Sequence, residues 1–287
     1  MRNTFLVLAA LAALSCRATF GGDAEGSFER TLSVTGPVDL DVQTSSGRIE
    51  VRAGGALAVV IRATIHVREG VFGSQSAAQR VHNIESHPPV RQNGNVIRIG
   101  HLEDPVVGRH VSIAYELTVP AETKLRSNTG SGHIAVEGLR GPVSAETGSG
   151  AVTISKIRDE VRAHTGSGRM ELDDIEGSLD AHTGSGSIRA SGIRGKIVAD
   201  TGSGGVHVEQ TGSGDIRAHT GSGGVTVYTP AKAGFDLRAH TGSGSITVDR
   251  PMTVQGTISK HELMAKVGGG GSAIVDVRTG SGSIRIQ

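Results

Sequence analysis

The sequence predicts an all-β fold, a parallel β-solenoid or β-helix with about 18–20 residues per coil. The tetrapeptide Thr-Gly-Ser-Gly recurs at a fixed interval through the middle of the chain. Between the recurrences aliphatic and polar residues alternate, which is the pattern of strands with one buried face. Glycine fills 43 of 287 positions, whereas the chain has no Trp, two Tyr and five Phe. The core must therefore be built from small aliphatic side chains.

The recurrence of the tetrapeptide defines the coil. The intervals from Thr129 to Thr201 are all equal, the two intervals from Thr201 to Thr220 together make one coil, and the interval before Thr279 is about twice the length of a coil. Because Thr211 falls between two coil starts, its turn is expected on the opposite side of the coil. The tetrapeptide begins at Thr129, Thr147, Thr165, Thr183, Thr201, Thr211, Thr220, Thr241 and Thr279.

Two short strands and two glycine turns are expected in each coil, because glycine adopts turn conformations that other residues resist. The first buried column holds Ile134, Val152, Met170 and Ile188. Each coil is predicted to pair with the next coil along the chain, so that about eight coils make a rod of roughly 38 Å. A hairpin meander is the weaker alternative, because it needs no fixed recurrence of identical turns. The positions predicted to shape the turns are Thr129, Gly130, Gly132, Thr147, Gly150, Thr165, Gly168, Thr183, Gly186, Thr201, Gly204, Thr220, Gly223, Thr241, Gly244, Thr279 and Gly282.

The N-terminus predicts export. Arg2 precedes an apolar run at residues 5–14, which is too short to span a bilayer and fits a secretory signal peptide over residues 1–16. Cys16, the only cysteine, stands where a bacterial lipobox would place the lipidated residue. Lipidation of Cys16 and ordinary signal-peptidase cleavage both stay open. With one cysteine the chain forms no internal disulfide, so packing and hydrogen bonds must hold the fold.

The residues ahead of the repeats are predicted to form a β section that caps the solenoid. Residues 36–52 resemble an early coil, and residues 58–67 and 111–119 have the pattern of longer strands. The predicted segments are a signal peptide at 1–16, a short linker at 17–26, an N-terminal β section and cap at 27–126, and the TGSG-repeat solenoid at 127–287.

A helix is expected near residues 74–86. Ser76 and Gln79 have the spacing of a capping box, and two prolines follow the segment. Because terminal repeats need a cover, this helix is expected at the open end of the rod.

The tandem coils resemble the bacterial putative-adhesin family of β-strand-repeat domains of unknown function. The likeness is carried by the TGSG coils, the opening segment at residues 28–32, the segment at residues 92–99 and the glycine-rich final coil, and it spans residues 25–287. The resemblance implies an exported, right-handed β-helix-like domain. It supplies no catalytic residue.

Histidine is the side chain that most suggests chemistry, because four of the twelve precede a TGSG turn. Stacked coils would place His164 over His182 over Asp200 at ~4.8 Å, close enough in principle to share Zn²⁺ or Cu²⁺. Other coils carry Asn128 or Glu146 in this column, which favours a solvent-exposed polar position. We therefore predict no metal and no cofactor, and the histidines concerned are His164, His182, His219 and His240.

The turns themselves favour a structural role. Calcium-binding β-rolls need regular aspartates, which the TGSG turns lack. Regular threonine arrays are how some ice-binding proteins match a lattice, and the repeated Thr and Ser hydroxyls allow that interpretation. Hydroxyls in a glycine turn commonly bond nearby backbone groups, however. A structural ladder of hydroxyl groups is therefore expected.

A glycan-processing β-helix enzyme is the contrasting hypothesis. Such an enzyme needs clustered carboxylates or a basic residue in a groove formed by long loops. Here the coils are short, and Asp159, Glu160, Asp173 and Asp174, which fall at a bend in adjacent coils, are more simply a solvated edge. We predict no catalytic residue.

The predicted function is a non-enzymatic cell-envelope scaffold or adhesin-like interaction module in the periplasm or at the cell surface. Its partner would be an envelope protein or polymer, contacted through flat polar faces. The net charge of +1 argues against electrostatic binding of nucleic acid, which needs a concentrated basic face. Membrane attachment is expected only through a lipid on Cys16. Envelope-stress sensing through a partner is a further alternative that no residue selects, and the oligomeric state stays open.

Overall fold

The structure is a computed structural model that describes residues 22–68, 76–100, 111–255 and 259–287. The predicted signal peptide, with Cys16, lies outside these residues. The described residues form strands β1 to β25 and the helix α1. In chain order they are β1 (Ala24–Ser33), β2 (Val38–Thr44), β3 (Ile49–Gly54), β4 (Ala58–Val67), α1 (Ala77–Ser86), β5 (Val90–Asn93), β6 (Val96–Ile99), β7 (Val111–Pro120), β8 (Thr123–Thr129), β9 (Ile134–Glu137), β10 (Val143–Thr147), β11 (Val152–Ile157), β12 (Val161–Thr165), β13 (Met170–Ile175), β14 (Leu179–Thr183), β15 (Ile188–Ile193), β16 (Ile197–Ser203), β17 (Val206–Gln210), β18 (Ile216–Ser222), β19 (Val225–Tyr228), β20 (Phe235–Ser243), β21 (Ile246–Val248), β22 (Met252–Val254), β23 (Glu262–Val267), β24 (Ala273–Ser281) and β25 (Ile284–Ile286).

Two long sheets enclose one core. From β8 onward eight coils each give one strand to each sheet, and neighbouring coils pair in parallel and in register. Val143 faces Val161 in one sheet, for example, and Val152 faces Met170 in the other. The predicted parallel β-solenoid is confirmed. The strand order is β1-β4-β7-β3-β9-β11-β13-β15-β17-β19-β25-β21 in the first sheet and β22-β23-β20-β24-β18-β16-β14-β12-β10-β8-β2-β6-β5 in the second sheet.

Aliphatic columns fill the space between the sheets. The column of Ile134, Val152, Met170 and Ile188 is at most 1% exposed. A second column, on the facing sheet, carries alanine in every strand from Ala145 to Ala239 except the inserted β24, where Val277 lies between Ala218 and Ala239. Alanine is the smallest side chain that can fill a position between two closely packed sheets. The buried aromatic rings of the described residues lie in strands near the two ends of the rod, at Phe28, Tyr115 and Phe235.

The last coil does not lie at the end of the rod. β24 and β25 lie between the β18–β19 coil and the β20–β21 coil, and they pair in parallel with both. The prediction that each coil pairs with the next along the chain is therefore wrong here. The chain reaches this place through β23, which pairs antiparallel with β20 and leads into the glycines at 268–271. Insertion gives both edges of β24 and β25 a hydrogen-bonded neighbour, which a terminal coil would lack.

The first coil is enclosed in the same way. β2 and β3 lie between β6 and β7 on one side and β8 and β9 on the other. The antiparallel strands β1, β4 and β5 close this end of the two sheets. Both terminal coils of the described chain are thus held from two sides.

The helix α1 packs against the same end. Ser76 and Gln79 form the capping box at its N-terminus, and Val81 and Ile84 are buried. Gly26 of β1 leaves room for the helix, because a Cβ there would lie 2.3 Å from Cγ1 of Val81. Among the described residues no helix is long and apolar enough to cross a membrane.

Tyr115 combines a buried ring with an unpaired hydroxyl. The side chain is 1% exposed, and its Oη has no hydrogen-bond partner among the described residues. Burial raises the pKa of Tyr115, so the folded state disfavours the phenolate. The contribution of Tyr115 to the free energy of unfolding is therefore fully present below about pH 10, the pKa of tyrosine in the unfolded chain. This contribution is lost as the pH rises above that value.

Tyr115→Phe is expected to raise the free energy of unfolding at neutral pH by about 1 kcal/mol, because an unpaired buried hydroxyl costs about 1–3 kcal/mol. It should also reduce the loss of stability at about pH 10.5. Urea unfolding at both pH values measures the two effects, with Tyr228→Phe at an exposed ring as the control. A less stable Tyr115→Phe protein at neutral pH would show that the hydroxyl is paired.

Candidate functional site

The TGSG turns form one corner of the rod, and their threonine hydroxyls join each coil to its neighbour. Oγ1 of Thr165 donates to the carbonyl of Gly150 in the neighbouring coil at 3.0 Å and accepts from the backbone N–H of Gly168 at 3.1 Å. The hydroxyl therefore stabilises two turns at once. The threonines that donate to a glycine carbonyl of an adjoining coil are Thr129, Thr147, Thr165, Thr183, Thr201, Thr220, Thr241 and Thr279.

These threonines are at most 6% exposed, so they present no array to a lattice outside the protein. The ice-binding interpretation is therefore wrong for the threonines, whereas the serines of the same turns are exposed. Nine glycines at this corner cannot be replaced by a larger residue without a clash, because a Cβ at any of them would lie 1.8–2.3 Å from a carbonyl oxygen of the adjoining coil. The glycines so placed are Gly130, Gly132, Gly150, Gly168, Gly186, Gly204, Gly223, Gly244 and Gly282.

Thr211 lies on the opposite corner of the coil, but its own side chain is exposed. At this corner Gln210, in place of Thr211, is the buried polar residue, and it occupies the column of Ile193. Nε2 of Gln210 donates to the carbonyls of Gly195 and Gly214 at 2.9 and 3.0 Å. Because Gln210 precedes a TGSG turn as the four histidines do, the sequence groups it with their exposed polar column, and that prediction is wrong.

An outward column of the second sheet carries the four histidines, but it does not keep them together. His164 faces His182, whereas Asp200 separates His182 from His219. The ring of His182 lies between carboxylates, with Nε2 2.5 Å from Oδ1 of Asp180 and Nδ1 3.4 Å from Oδ2 of Asp200. Within the described ranges no group of three His, Cys, Asp or Glu is arranged to hold a metal ion. The column runs Glu146, His164, His182, Asp200, His219, Arg278, His240 and Glu262.

Three of the four carboxylates predicted at the second bend, Asp159, Glu160 and Asp173, have hydrogen-bond or ion-pair partners among their neighbours. Asp173 accepts a hydrogen bond from Oγ of Ser191 at 2.6 Å, and Oδ1 of Asp159 accepts one from the backbone of Glu160 at 2.7 Å. Glu160 in turn forms an ion pair of 3.2 Å with Arg162. A glycosidase instead holds two carboxyl groups across one sugar-binding cleft.

The same bend carries an unusual backbone. Gly138, Lys156, Asp174 and Gly192 occupy the same position in four successive coils, and all four have a positive φ, of 82°, 58°, 52° and 68°. The turn thus requires the left-handed conformation in each of these coils. Lys156 and Asp174 adopt it at a steric cost that glycine does not have.

Asp174→Gly is expected to raise the free energy of unfolding by about 0.5–1 kcal/mol, because it removes that cost. The matched control is Thr153→Gly in the extended strand β11, which should lower it by about 0.5–1 kcal/mol. Chemical unfolding followed by circular dichroism measures both. Equal destabilisation by the two glycines would contradict the strained turn.

A groove of about 560 Å³ crosses four coils on the outer face of the first sheet. Its floor is formed by Ser187, Gly205 and Gly224, which directly precede β15, β17 and β19. Arg189 and His207 are on its walls. Burial, and then the neighbouring Arg189, hold the pKa of His207 below its ordinary value. Sequence reasoning missed this groove, because Gly205 and Gly224 look like further turn glycines.

Comparison with known protein families identifies the family to which this fold belongs. The model of the family described as Toastrack DUF4097 matches residues 92–287. The chain belongs to the Toastrack DUF4097 family. This family is a domain of unknown function, and the match confirms the predicted resemblance to a family of β-strand-repeat domains, together with its fold.

Solved structures similar to this Toastrack chain include three bacterial proteins. A "putative adhesin" from Bacteroides fragilis is 14% identical, with 91% of this chain and 97% of that chain covered and a TM-score of 0.47. A "putative cell adhesion protein" from Clostridium sporogenes is 14% identical, with 91% and 98% covered and a TM-score of 0.28. A "putative adhesin" from Parabacteroides distasonis is 12% identical, with 91% and 97% covered and a TM-score of 0.35. No curated protein matches the chain at a significant level.

Proposed function

We propose that this Toastrack chain is a non-enzymatic interaction module of the bacterial cell envelope that binds its partner through the outer faces of the two sheets. The observation that supports this most is the continuous column of outward polar side chains on the second sheet. It runs over ten strands from Gln43 to Glu262, a length of about 43 Å at the usual strand spacing.

The chemistry of that face suits contact with a polar partner. Beside the histidine column runs a second outward column in which Arg126, Arg162 and Arg217 alternate with acidic and small residues. Both signs of charge are therefore spread along the face. In the second sheet β2, β20 and all the strands that lie between them have a hydrogen-bonded neighbour on each side. The face is therefore already ordered, and binding requires little further loss of conformational entropy.

A non-enzymatic role is supported by the surroundings of the carboxylates. The groove on the first sheet contains one carboxylate, Glu171, which forms an ion pair of 3.6 Å with Arg169. At the second bend the hollow of about 220 Å³ is lined by two carboxylates, Asp174 and Glu176, of which Glu176 pairs with Arg158 and Arg194. Neither place offers the two free carboxyl groups of a glycoside hydrolase.

The proposed location is the periplasm or the cell surface, and it rests on the signal-like residues 1–16. Labelling of growing cells with a palmitate analogue tests the anchor. Label on the wild-type chain that disappears in Cys16→Ser supports lipidation. Cleavage without label would show that the chain is secreted without a lipid.

Capture from a bacterial envelope extract tests the interaction module. The wild-type chain is compared with two double variants that reverse exposed charges, Arg162→Glu/Arg217→Glu on the second sheet and Arg62→Glu/Arg285→Glu on the first. We expect one captured component to be retained by the wild type and lost in one of the two variants, with unchanged thermal melts. Equal capture by all three proteins would contradict binding through a sheet face, and shortening of a captured polymer would contradict the non-enzymatic role.

A further inference from the structure

We infer that the groove on the first sheet binds a carboxylate group of an acidic polysaccharide, with Arg189 as the charged contact and the Tyr228 ring as the support for a sugar ring. The inference rests on the proposed function and deepens it, because it names the class of partner and the face that holds it.

Arg189 is the cation that this groove leaves uncompensated. In the ladder it lies between Glu171 and His207, but within the described residues it forms no ion pair and donates no hydrogen bond. Glu171 instead pairs with Arg169. Other arginines on the same outer face have acidic partners, as Arg62 has Glu29 at 3.5 Å, Arg52 has Glu50 at 3.8 Å and Arg285 has Asp249 at 3.9 Å.

The fold does not require glycine at the two positions Gly205 and Gly224 in the floor of the groove. A Cβ on Gly205 would meet only the carbonyl of Gly224 at 3.7 Å, and one on Gly224 only the carbonyl of Ser283 at 3.5 Å, which are ordinary contacts. Neither glycine has the left-handed φ that excludes other residues. At the same position of an earlier coil the chain carries Arg169. Glycine here therefore opens space beside Arg189 that the turn itself does not need.

An aromatic ring packs against His207, one of the residues that line the groove. Tyr228 of β19 is 36% exposed, whereas the other described Tyr and Phe rings are buried in the core. Its ring centroid lies 5.1 Å from that of His207, at an interplanar angle of 51°. The pair holds the tyrosine ring in place, with an apolar face and a polar tip that suit the mixed surface of a sugar.

The arrangement favours a polysaccharide over other anions. A nucleic acid needs a row of cations along its phosphates, and this groove has one uncompensated arginine. His207 adds little positive charge near neutral pH, because burial and Arg189 lower its pKa. The groove follows the stacking direction of the coils from β13 to β19, so an extended chain can lie along it and bring one carboxylate to Arg189.

Titration of the full chain with an oligogalacturonate of defined length tests the inference. We expect saturable binding by the wild type, weakened by salt, and no binding of the fully methyl-esterified oligomer. Arg189→Ser should weaken the binding about tenfold, which is the effect of losing one charge-assisted hydrogen bond. Gly205→Leu should weaken it as well, since it fills the floor without changing the charge. Arg194→Ser, at the second bend and outside both sheet faces, is the matched control and should bind as the wild type does.

A second readout follows His207 by NMR, with His207→Gln to assign its signal. A carboxylate bound at Arg189 should raise the pKa of His207, because it screens the arginine and favours the charged ring. Binding that is unchanged in Arg189→Ser, or equal for the methyl ester, overturns the inference. If the inference fails in this way but capture from the envelope extract still depends on one sheet face, the proposed function is still supported. If both the capture and the oligogalacturonate binding are lost, both proposals are contradicted.

Discussion

Gly168→Ala should destabilise the protein by about 3 kcal/mol, although it adds only one methyl group. A Cβ at this position would lie 1.8 Å from the carbonyl oxygen of Gly150 and 2.5 Å from its carbonyl carbon. Both are backbone atoms of the neighbouring coil. The same oxygen accepts the hydroxyl of Thr165, so that moving the coils apart also breaks the buried hydrogen bond that joins them.

Gly205→Ala is the matched control, because a Cβ there meets only ordinary contacts. It should change the free energy of unfolding by less than about 1 kcal/mol. Urea unfolding of the two variants, followed by circular dichroism, compares them directly. Similar stabilities would show that the coils are not packed as closely at the TGSG corner as described.

Deletion of residues 272–287 should unfold far more than the residues removed. It takes away β24 and β25, and with them the ladders that join the β18–β19 coil to the β20–β21 coil. Four buried apolar side chains leave the core, Val275, Val277, Ile284 and Ile286, each of which contributes about 1.5–3 kcal/mol. The strands from β20 to β23 then have no coil to pair with.

Hydrogen exchange measures the consequence of that deletion. We expect protection to be lost over residues 235–267 and kept over residues 123–210, whose coils are untouched. Because the repeat is held by nearest neighbours, the loss should stay local to the C-terminal end. Retained protection at residues 235–248 would contradict the inserted position of the last coil.

The sequence was sufficient to predict the coil but not the order of the coils. Alternation at period two identifies Val277 and Ile284 as inward residues, because that pattern depends only on neighbours along the strand. Which coil lies beside which depends on long-range pairing. The hydroxyl ladder shows the difference, since Thr279 donates to Gly223 and Thr241 donates to Gly282. The long interval between these two threonines is consistent with either order.

The site was less predictable for related reasons. The register of His164 and His182 follows from the repeat, but the place of Arg278 between His219 and His240 follows from the inserted coil. The groove depends on whether the glycine at a given position touches a neighbouring backbone or leaves open space. Gly205 and Gly168 look alike in the sequence, yet one leaves open space and the other allows two backbones to touch.

Cysteine pairing tests the coil order most directly. In a Cys16→Ser background, Arg217→Cys/Asp276→Cys places two outward cysteines on neighbouring strands, at about 4.8 Å, within the reach of a disulfide. Arg217→Cys/Arg238→Cys places them on strands separated by β24, at about 9.6 Å, beyond that reach. The inserted coil predicts a rapid disulfide in the first pair and none in the second. A disulfide in the second pair and none in the first would contradict it.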